Sequence, residues 1–157
     1  MQQITEHLYV LPAPFLGIDL FLYVVYSREQ VVLIDSGINT TPHEYILPAF
    51  RQAGIKPALL VCTHGHVDHF GGNATLRDQY PDLKIALHHA DVIWAEDHER
   101  HLHEMYVCMP QTWQFADGGK SHLEMCGANA AIDIHLKHGQ QIQLGLLSVY
   151  GVQNPRL

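Results

Sequence analysis

A chain of 157 residues that is 47% hydrophobic has the material for one domain with a real core. Nine basic against sixteen acidic residues give a formal charge of −7 with no Lys/Arg cluster, which argues against nucleic acid as a partner. The start Met1-Gln2-Gln3-Ile4-Thr5-Glu6 lacks a basic segment followed by an apolar core, and no apolar run reaches membrane-spanning length, so the expectation is a cytoplasmic protein without a membrane association.

In chain order, His7 to Leu11, Leu20 to Tyr26 and the β-branched Val31 to Ile34 read as strands, the last two joined by a turn around Ser27 to Gln30. Thr41-Pro42-His43-Glu44 has the form of a capping box with proline at the first helical position, and Gly54 supplies a stop. The helix between them places Ile46, Leu47, Phe50 and Ala53 on one face, and Pro48 inside it should bend it. Ala58 to Cys62 is a short buried strand, followed by a histidine-rich loop. Asn73 then caps a helix to about Tyr80, Lys84 to Leu87 is a strand, and Ala90 to about Met105 is helical by composition. Cys108 to Ala131 is less regular. A turn near Lys137-His138-Gly139 joins Ile132 to Leu136 with Ile142 to Tyr150 as a closing hairpin. No repeat or Pro/Gly/Ser linker interrupts residues 1–157, so one domain is expected.

Histidine is the compositional outlier, at thirteen residues. Its densest stretch is Thr63-His64-Gly65-His66-Val67-Asp68-His69-Phe70-Gly71-Gly72-Asn73. In His64-x-His66 two imidazoles sit two residues apart, so in an extended stretch they project to one side and can reach one ion. Asp68 and His69 follow where the loop bends back and suit a second ion a few ångströms away. The stretch reads as half of a dinuclear site, with Gly65 and Gly71-Gly72 letting the backbone pass close to the ions.

This stretch resembles the signature of the metallo-β-lactamase-fold hydrolases, and Leu33-Ile34-Asp35-Ser36-Gly37 resembles that family's strand-ending aspartate motif. The resemblance runs from about Ile4 to Tyr150. It implies an α/β (α+β) fold, a four-layer αββα sandwich of two similar halves with metals at one edge of the sheets. It further implies His64 and His66 as ligands of a first metal, Asp68 and His69 as ligands of a second, and Asp35 as the residue that holds the loop in place behind them. The implied cofactor is Zn2+, two ions per complete site, with Mn2+ or Fe2+ as alternatives. The implied reaction is hydrolysis, in which a metal-bound hydroxide attacks an ester, thioester, lactone or amide carbonyl of a small-molecule substrate. Asp68 is also the candidate catalytic residue, orienting the water if a single ion binds.

Family members supply a third histidine from a later proline-glycine-histidine segment, a bridging aspartate and a last histidine beyond it. Here Leu144 to Tyr150 resembles the strand leading into that segment, and Gly151 to Leu157 contains neither histidine nor aspartate. The expectation is a C-terminally incomplete sandwich whose ligands are completed in a homo-oligomer or by a partner chain. The alternative is a truncated non-catalytic member that binds metal weakly.

Other residues receive quieter expectations. His98 and His101 share a helical face, but Glu96, Asp97, Glu99, Arg100 and Glu104 mark the segment as solvated, so they are expected to be exposed. His135 and His138 flank a turn and are expected on the surface. Trp94, Tyr106, Trp113 and Phe115 invite a pocket over the motif, although core packing is the commoner fate of aromatics. Cys62, Cys108 and Cys126 form no C-x-x-C pair and are expected as reduced, mostly buried thiols. No Gly-rich phosphate loop is present, since Gly71-Gly72 match neither nucleotide pattern.

Overall fold

A computed structural model of the chain describes residues 1–27, 30–144 and 147–150. Seven strands form one mixed sheet in sequence order: β1 (Gln2–Gln3), β2 (Leu8–Pro12), β3 (Phe21–Tyr26), β4 (Val31–Ile34), β5 (Leu59–Val61), β6 (Lys84–His88) and β7 (Ile134–Leu136). The first four pair antiparallel and β4 to β7 pair parallel, so β4 carries one neighbour of each kind. The centre of the predicted turn between β3 and β4 lies outside the described residues. Its ends are held by Ser27 N–H to Gln30 O at 2.9 Å and Gln30 N–H to Ser27 Oγ at 3.0 Å.

Strands buried on both faces read as continuous apolar runs, and β4 and β5 have that composition. Alternation assigns their side chains. Val24, Leu33, Leu60 and Ile85 run across one row of the sheet and join the larger core with Leu22, Phe50, Phe70 and Leu76. The next row, Ile34, Val61, Ala86 and Ile134, faces the other side and forms a smaller cluster with Val32, Leu59 and Leu136. The helices α1 (Leu47–Ala53), α2 (Val67–Phe70), α3 (Asn73–Gln79), α4 (Val92–Glu96) and α6 (Lys120–Cys126) all contribute to the larger core, which makes one face of the sheet helical. Ile142 packs on the other face from the hairpin of β8 (Gln141–Leu144) and β9 (Leu147–Tyr150). The described residues thus form a helical layer, a mixed sheet and a hairpin against its second face. The tail Gly151 to Leu157 lies outside the described residues, as do Gly145 and Leu146.

Several local expectations are corrected. Ile134–Leu136 does not pair with the last strands; it adds to β6 in parallel, and the hairpin forms between β8 and β9. The turn near Lys137 is present, with Gln140 N–H to Lys137 O at 3.0 Å and Gly139 at φ 73°, but it carries the chain from one sheet to the other. Thr41 makes no side-chain cap; its Oγ1 accepts instead from Ile38 N–H at 3.1 Å. Pro48 does not bend a uniform α-helix. It sits in the first turn of α1, after a π-helical turn over Pro42–Ile46 that widens the spiral where Pro48 cannot donate a hydrogen bond. Asn73 likewise caps nothing, because its Oδ1 accepts from the Ser36 hydroxyl at 2.8 Å. The predicted long helix after β6 is two helices, α4 and α5 (His98–Glu104), broken at Asp97, whose side chain caps the second by accepting from Arg100 N–H at 3.0 Å. Helix α6 falls in the segment expected to be irregular.

Candidate metal centre

The ends of β4, β5 and β6 open at the same edge of the sheet, the position where parallel α/β sheets present ligand-binding loops. Asp35 follows β4, the histidine motif follows β5 and Asp91 follows β6. Asp35 is buried and adopts φ 62°, a left-handed conformation that costs a non-glycine residue free energy. Its surroundings over-determine that conformation. The carboxylate accepts from Thr63 N–H at 2.7 Å and Thr63 Oγ1–H at 3.0 Å, and lies 2.9 Å from His69 Nδ1. The neighbouring backbone is tied in as well: Ser36 N–H donates to His69 O at 2.9 Å, and Gly72 N–H donates to Ser36 Oγ at 3.2 Å.

Thr63 passes this constraint to the imidazoles. Its hydroxyl proton goes to Asp35, so its oxygen is left to accept from His64 Nδ1, 3.0 Å away, and from His69 Nδ1, 3.1 Å away. Both rings then carry their proton on Nδ1 and turn Nε2 toward the other ligands, the usual way an outer partner orients a metal-binding histidine. His64 Nε2 lies 3.1 Å from His66 Nδ1, and His69 Nε2 lies 3.3 Å from Asp68 Oδ2. The His64 and His69 rings are 4.0 Å apart, centroid to centroid. The structure therefore places His64 beside His66 and Asp68 beside His69, with the His64 and His69 rings in contact between the two pairs. Asp68 and His69 reach this arrangement because the expected loop contains a helical turn, α2, begun at His66.

The electrostatics fit cation binding. Burial, reinforced by the neighbouring His69 and His66, pushes His64 down to about 4, and burial also lowers His66; both offer lone pairs at neutral pH. For His69 burial opposes the charged form, but hydrogen bonds to Asp35 and Asp68 outweigh it and push the imidazole up to about 9. Burial would raise Asp68, yet its hydrogen bond to His69 holds it below the usual carboxylate range. Between two carboxylates His69 thus carries a proton where a metal would place its own positive charge. Neutral imidazoles with one carboxylate suit zinc and its divalent neighbours.

The glycines act by close packing rather than by conformational freedom. A Cβ on Gly71 would meet Met125 O at 2.4 Å, and one on Gly72 would meet Ser36 O at 2.4 Å. Between the two first histidines, Gly65 is pinned on both backbone groups: its N–H donates to Asp91 Oδ2 at 3.1 Å, and its carbonyl accepts from His101 Nε2–H at 2.9 Å. Sequence reasoning missed Asp91 and His101.

The expectation that His98 and His101 are exposed is overturned. Both are buried together with Leu102, and the charged residues Glu99, Arg100 and Glu104 occupy the opposite, solvated face of α5. The spacing 98, 101, 102 is an inward helical stripe, written in histidine where the eye looks for leucine. His122 on α6 is buried too. His135 and His138 lie on the surface as expected. Cys62 is buried beside Asn73, and burial raises its thiol far above the ordinary range; Cys126 is buried, whereas Cys108 is exposed.

A cavity of about 380 Å³ opens over the motif, with His66, Val67 and Asp68 in its wall. Tyr106, Met109, Trp113, Phe115 and His122 line it as well, together with Phe15, Leu16 and Ile18. Of the four aromatics considered from sequence, three line this cavity. Trp94 is the exception: it is buried, and its indole donates to Glu104 at 3.1 Å. Leu16, Ile18 and Trp113 are 69%, 65% and 70% exposed, which gives the mouth an apolar rim.

Residues 21–140 match the family model of the metallo-beta-lactamase superfamily. Among curated proteins, the chain is similar to hydroxyacylglutathione hydrolases of Xanthomonas euvesicatoria (31% identical over 68 residues, 43% of this chain and 25% of that protein) and Nitrosomonas europaea (32% over 62 residues, 40% and 22%). Among solved structures, it resembles a beta-lactamase from Chitinophaga pinensis (TM-score 0.72, 22% identity, 98% of this chain and 51% of that one) and the subclass B3 metallo-beta-lactamase of Bradyrhizobium japonicum (TM-score 0.69, 17% identity, 98% and 51%). The chain therefore spans about half the length of the solved structures it resembles. With the family model covering most of the chain and the fold agreeing, this protein belongs to the metallo-beta-lactamase superfamily.

Proposed function

We propose that the chain carries the metal-binding portion of a hydrolase acting on an ester, thioester, lactone or amide carbonyl in a small molecule with an apolar acyl group. The observation that carries this reading is the convergence of His64 Nε2 with His66 Nδ1, and of Asp68 Oδ2 with His69 Nε2, beside an apolar cavity. In this reading His64 and His66 hold one divalent ion, Asp68 and His69 hold a second, and Asp35 fixes His69 from behind. Bound ions supply Lewis acidity and a water acidified toward neutral pH. The chain's own residues set the rest. Thr63 and Asp35 fix the imidazole tautomers, and the apolar wall of Met109, Trp113 and Phe115 excludes water and seats the substrate. Asp68, if only one position fills, is the carboxylate placed to orient a water. Similarity to hydroxyacylglutathione hydrolases favours thioesters as the first class to test.

Two ligands per ion are one short of the three protein ligands usual for a catalytic zinc. Completion by a second copy or a partner chain is accordingly part of the proposal. The test is hydrolysis of a thioester, lactone, ester and cephalosporin panel by the purified chain, with and without chelator, alongside its oligomeric mass. Chelator-sensitive turnover supports the reading. A folded, metal-loaded chain without turnover on any class would assign the motif a non-catalytic, metal-holding role in this chain.

A further inference from the structure

Behind the motif, among the described residues, one other set of side chains is arranged for a metal. His101 on α5, and His122 and Cys126 on α6, bring one ring nitrogen each and the thiol sulfur within 4.8 Å of one another, and all three are buried. We propose that these three residues form a second, sulfur-containing site for a borderline-soft divalent ion such as zinc. The site is separate from the four ligands of the motif and does not rest on the hydrolase reading.

Three structural features point to a ligand. His122 and Cys126 are four residues apart on one helix, so both project toward the same point, and α5 supplies the third group from across the helix contact. His101 Nε2–H is committed to Gly65 O at 2.9 Å, which leaves Nδ1 as the lone pair facing inward; a backbone carbonyl on the far nitrogen is the typical support of a metal-bound histidine. His122 also lines the cavity over the motif, which gives an ion a way in and leaves room for a water or small anion as the fourth ligand of a tetrahedral site.

His122 Nε2–H donates to His101 Nδ1 at 2.9 Å. Tetrahedral zinc requires roughly 3.4 Å between two nitrogens and roughly 3.6 Å between nitrogen and sulfur, so the two rings part by about half an ångström and Cys126 Sγ, already within 4.8 Å of both, closes on them to make the site. The proton balance is simple. The His122 proton moves from Nε2 to Nδ1, His101 keeps its own on Nε2, and Cys126 releases its thiol proton to solvent, one proton for each ion bound. Burial keeps both imidazoles neutral and holds the Cys126 thiol protonated up to about 12, so the thiolate exists there only with a cation to stabilise it.

Cobalt(II) titration of the metal-stripped full chain tests the site, because the motif contains no sulfur. A sulfur-to-cobalt charge-transfer band in the near ultraviolet is expected, with an amplitude at saturation that corresponds to one thiolate–cobalt bond per chain. The band should persist in Cys108→Ala and in His64→Ala/His66→Ala, and disappear in Cys126→Ala while circular dichroism keeps its folded shape. Should Cys126→Ala fail to fold, His122→Gln serves instead, and it should weaken cobalt binding at the band at least tenfold. A folded wild-type chain that takes up cobalt without the band overturns the proposal, as does a band that survives Cys126→Ala.

Discussion

His69 Nδ1 lies 2.9 Å from Asp35 Oδ2, joining the residue after β4 to the helical turn after β5. The contact is half-buried and shares its carboxylate with Thr63, so one side chain fixes the motif's backbone and two of its imidazoles.

Replacing Asp35 by Asn keeps a residue that tolerates the left-handed conformation but removes the carboxylate charge. Metal affinity is expected to fall about 10–100-fold, the usual effect of losing an outer-shell partner. Competition with a chromophoric chelator measures it, and an affinity equal to wild type would show that Asp35 does not orient the ligands.

Removing the first ligand pair tests the site more directly. In a His64→Ala/His66→Ala variant, bound metal measured by elemental mass spectrometry should drop by one ion per chain. Because both rings are partly exposed, the urea midpoint of the metal-stripped variant should stay close to that of stripped wild type. Equal metal content in variant and wild type would move the ion elsewhere.

Gly71 makes a stability prediction. An alanine there drives a Cβ into Met125 O at 2.4 Å and Val67 O at 2.8 Å, both backbone atoms that cannot rotate away. Gly71→Ala should cost about 2–3 kcal/mol in urea unfolding. A loss under about half a kcal/mol would mean the α2–α6 contact yields more readily than its packing suggests.

A pH dependence follows from Asp133, whose carboxylate accepts from Ile85 N–H at 2.9 Å, Arg77 at 2.6 Å and Lys84 at 3.3 Å. Burial opposes its charge, but these donors outweigh burial and hold the group below its usual range. A folded-state value below the unfolded one stabilises fully above the unfolded pKa of about 3.9 and is lost as pH falls through the folded value. Asp133→Asn should therefore cost about 1 kcal/mol at neutral pH, with the difference from wild type shrinking below pH ~4. A difference that grows on acidification would contradict this assignment.

At the cavity mouth, Trp113 is 70% exposed, and its loss should leave stability nearly unchanged. With whichever substrate the panel identifies, Trp113→Ala is expected to raise KM about five- to tenfold with kcat nearly constant, as for an apolar contact made equally in the bound and transition states. A fall in kcat at constant KM would instead place Trp113 near the reacting atoms.

Much of this was legible in the chain itself. Apolar runs marked β3, β4, β5 and β6, because strands packed within a sheet carry apolar side chains along their length. The spacing His64-x-His66-x-Asp68-His69 already implied neighbouring side chains, since local geometry alone turns His64 toward His66 and Asp68 toward His69. Asp35 was singled out at the end of its strand, and in the structure its carboxylate meets Thr63 and His69. The tertiary structure alone decided the rest. Whether His98 and His101 faced solvent depended on what packs against α5, and a helix with charges on one side and histidines on the other reads as solvated until its neighbour is known. Asp91 reaches Gly65 across 26 residues, and His122 meets His101 across 21, separations that no local pattern encodes. Ile134–Leu136 carries the same apolar signal whether it closes a hairpin or adds to β6, and only the competing edge of the parallel sheet settled its partner.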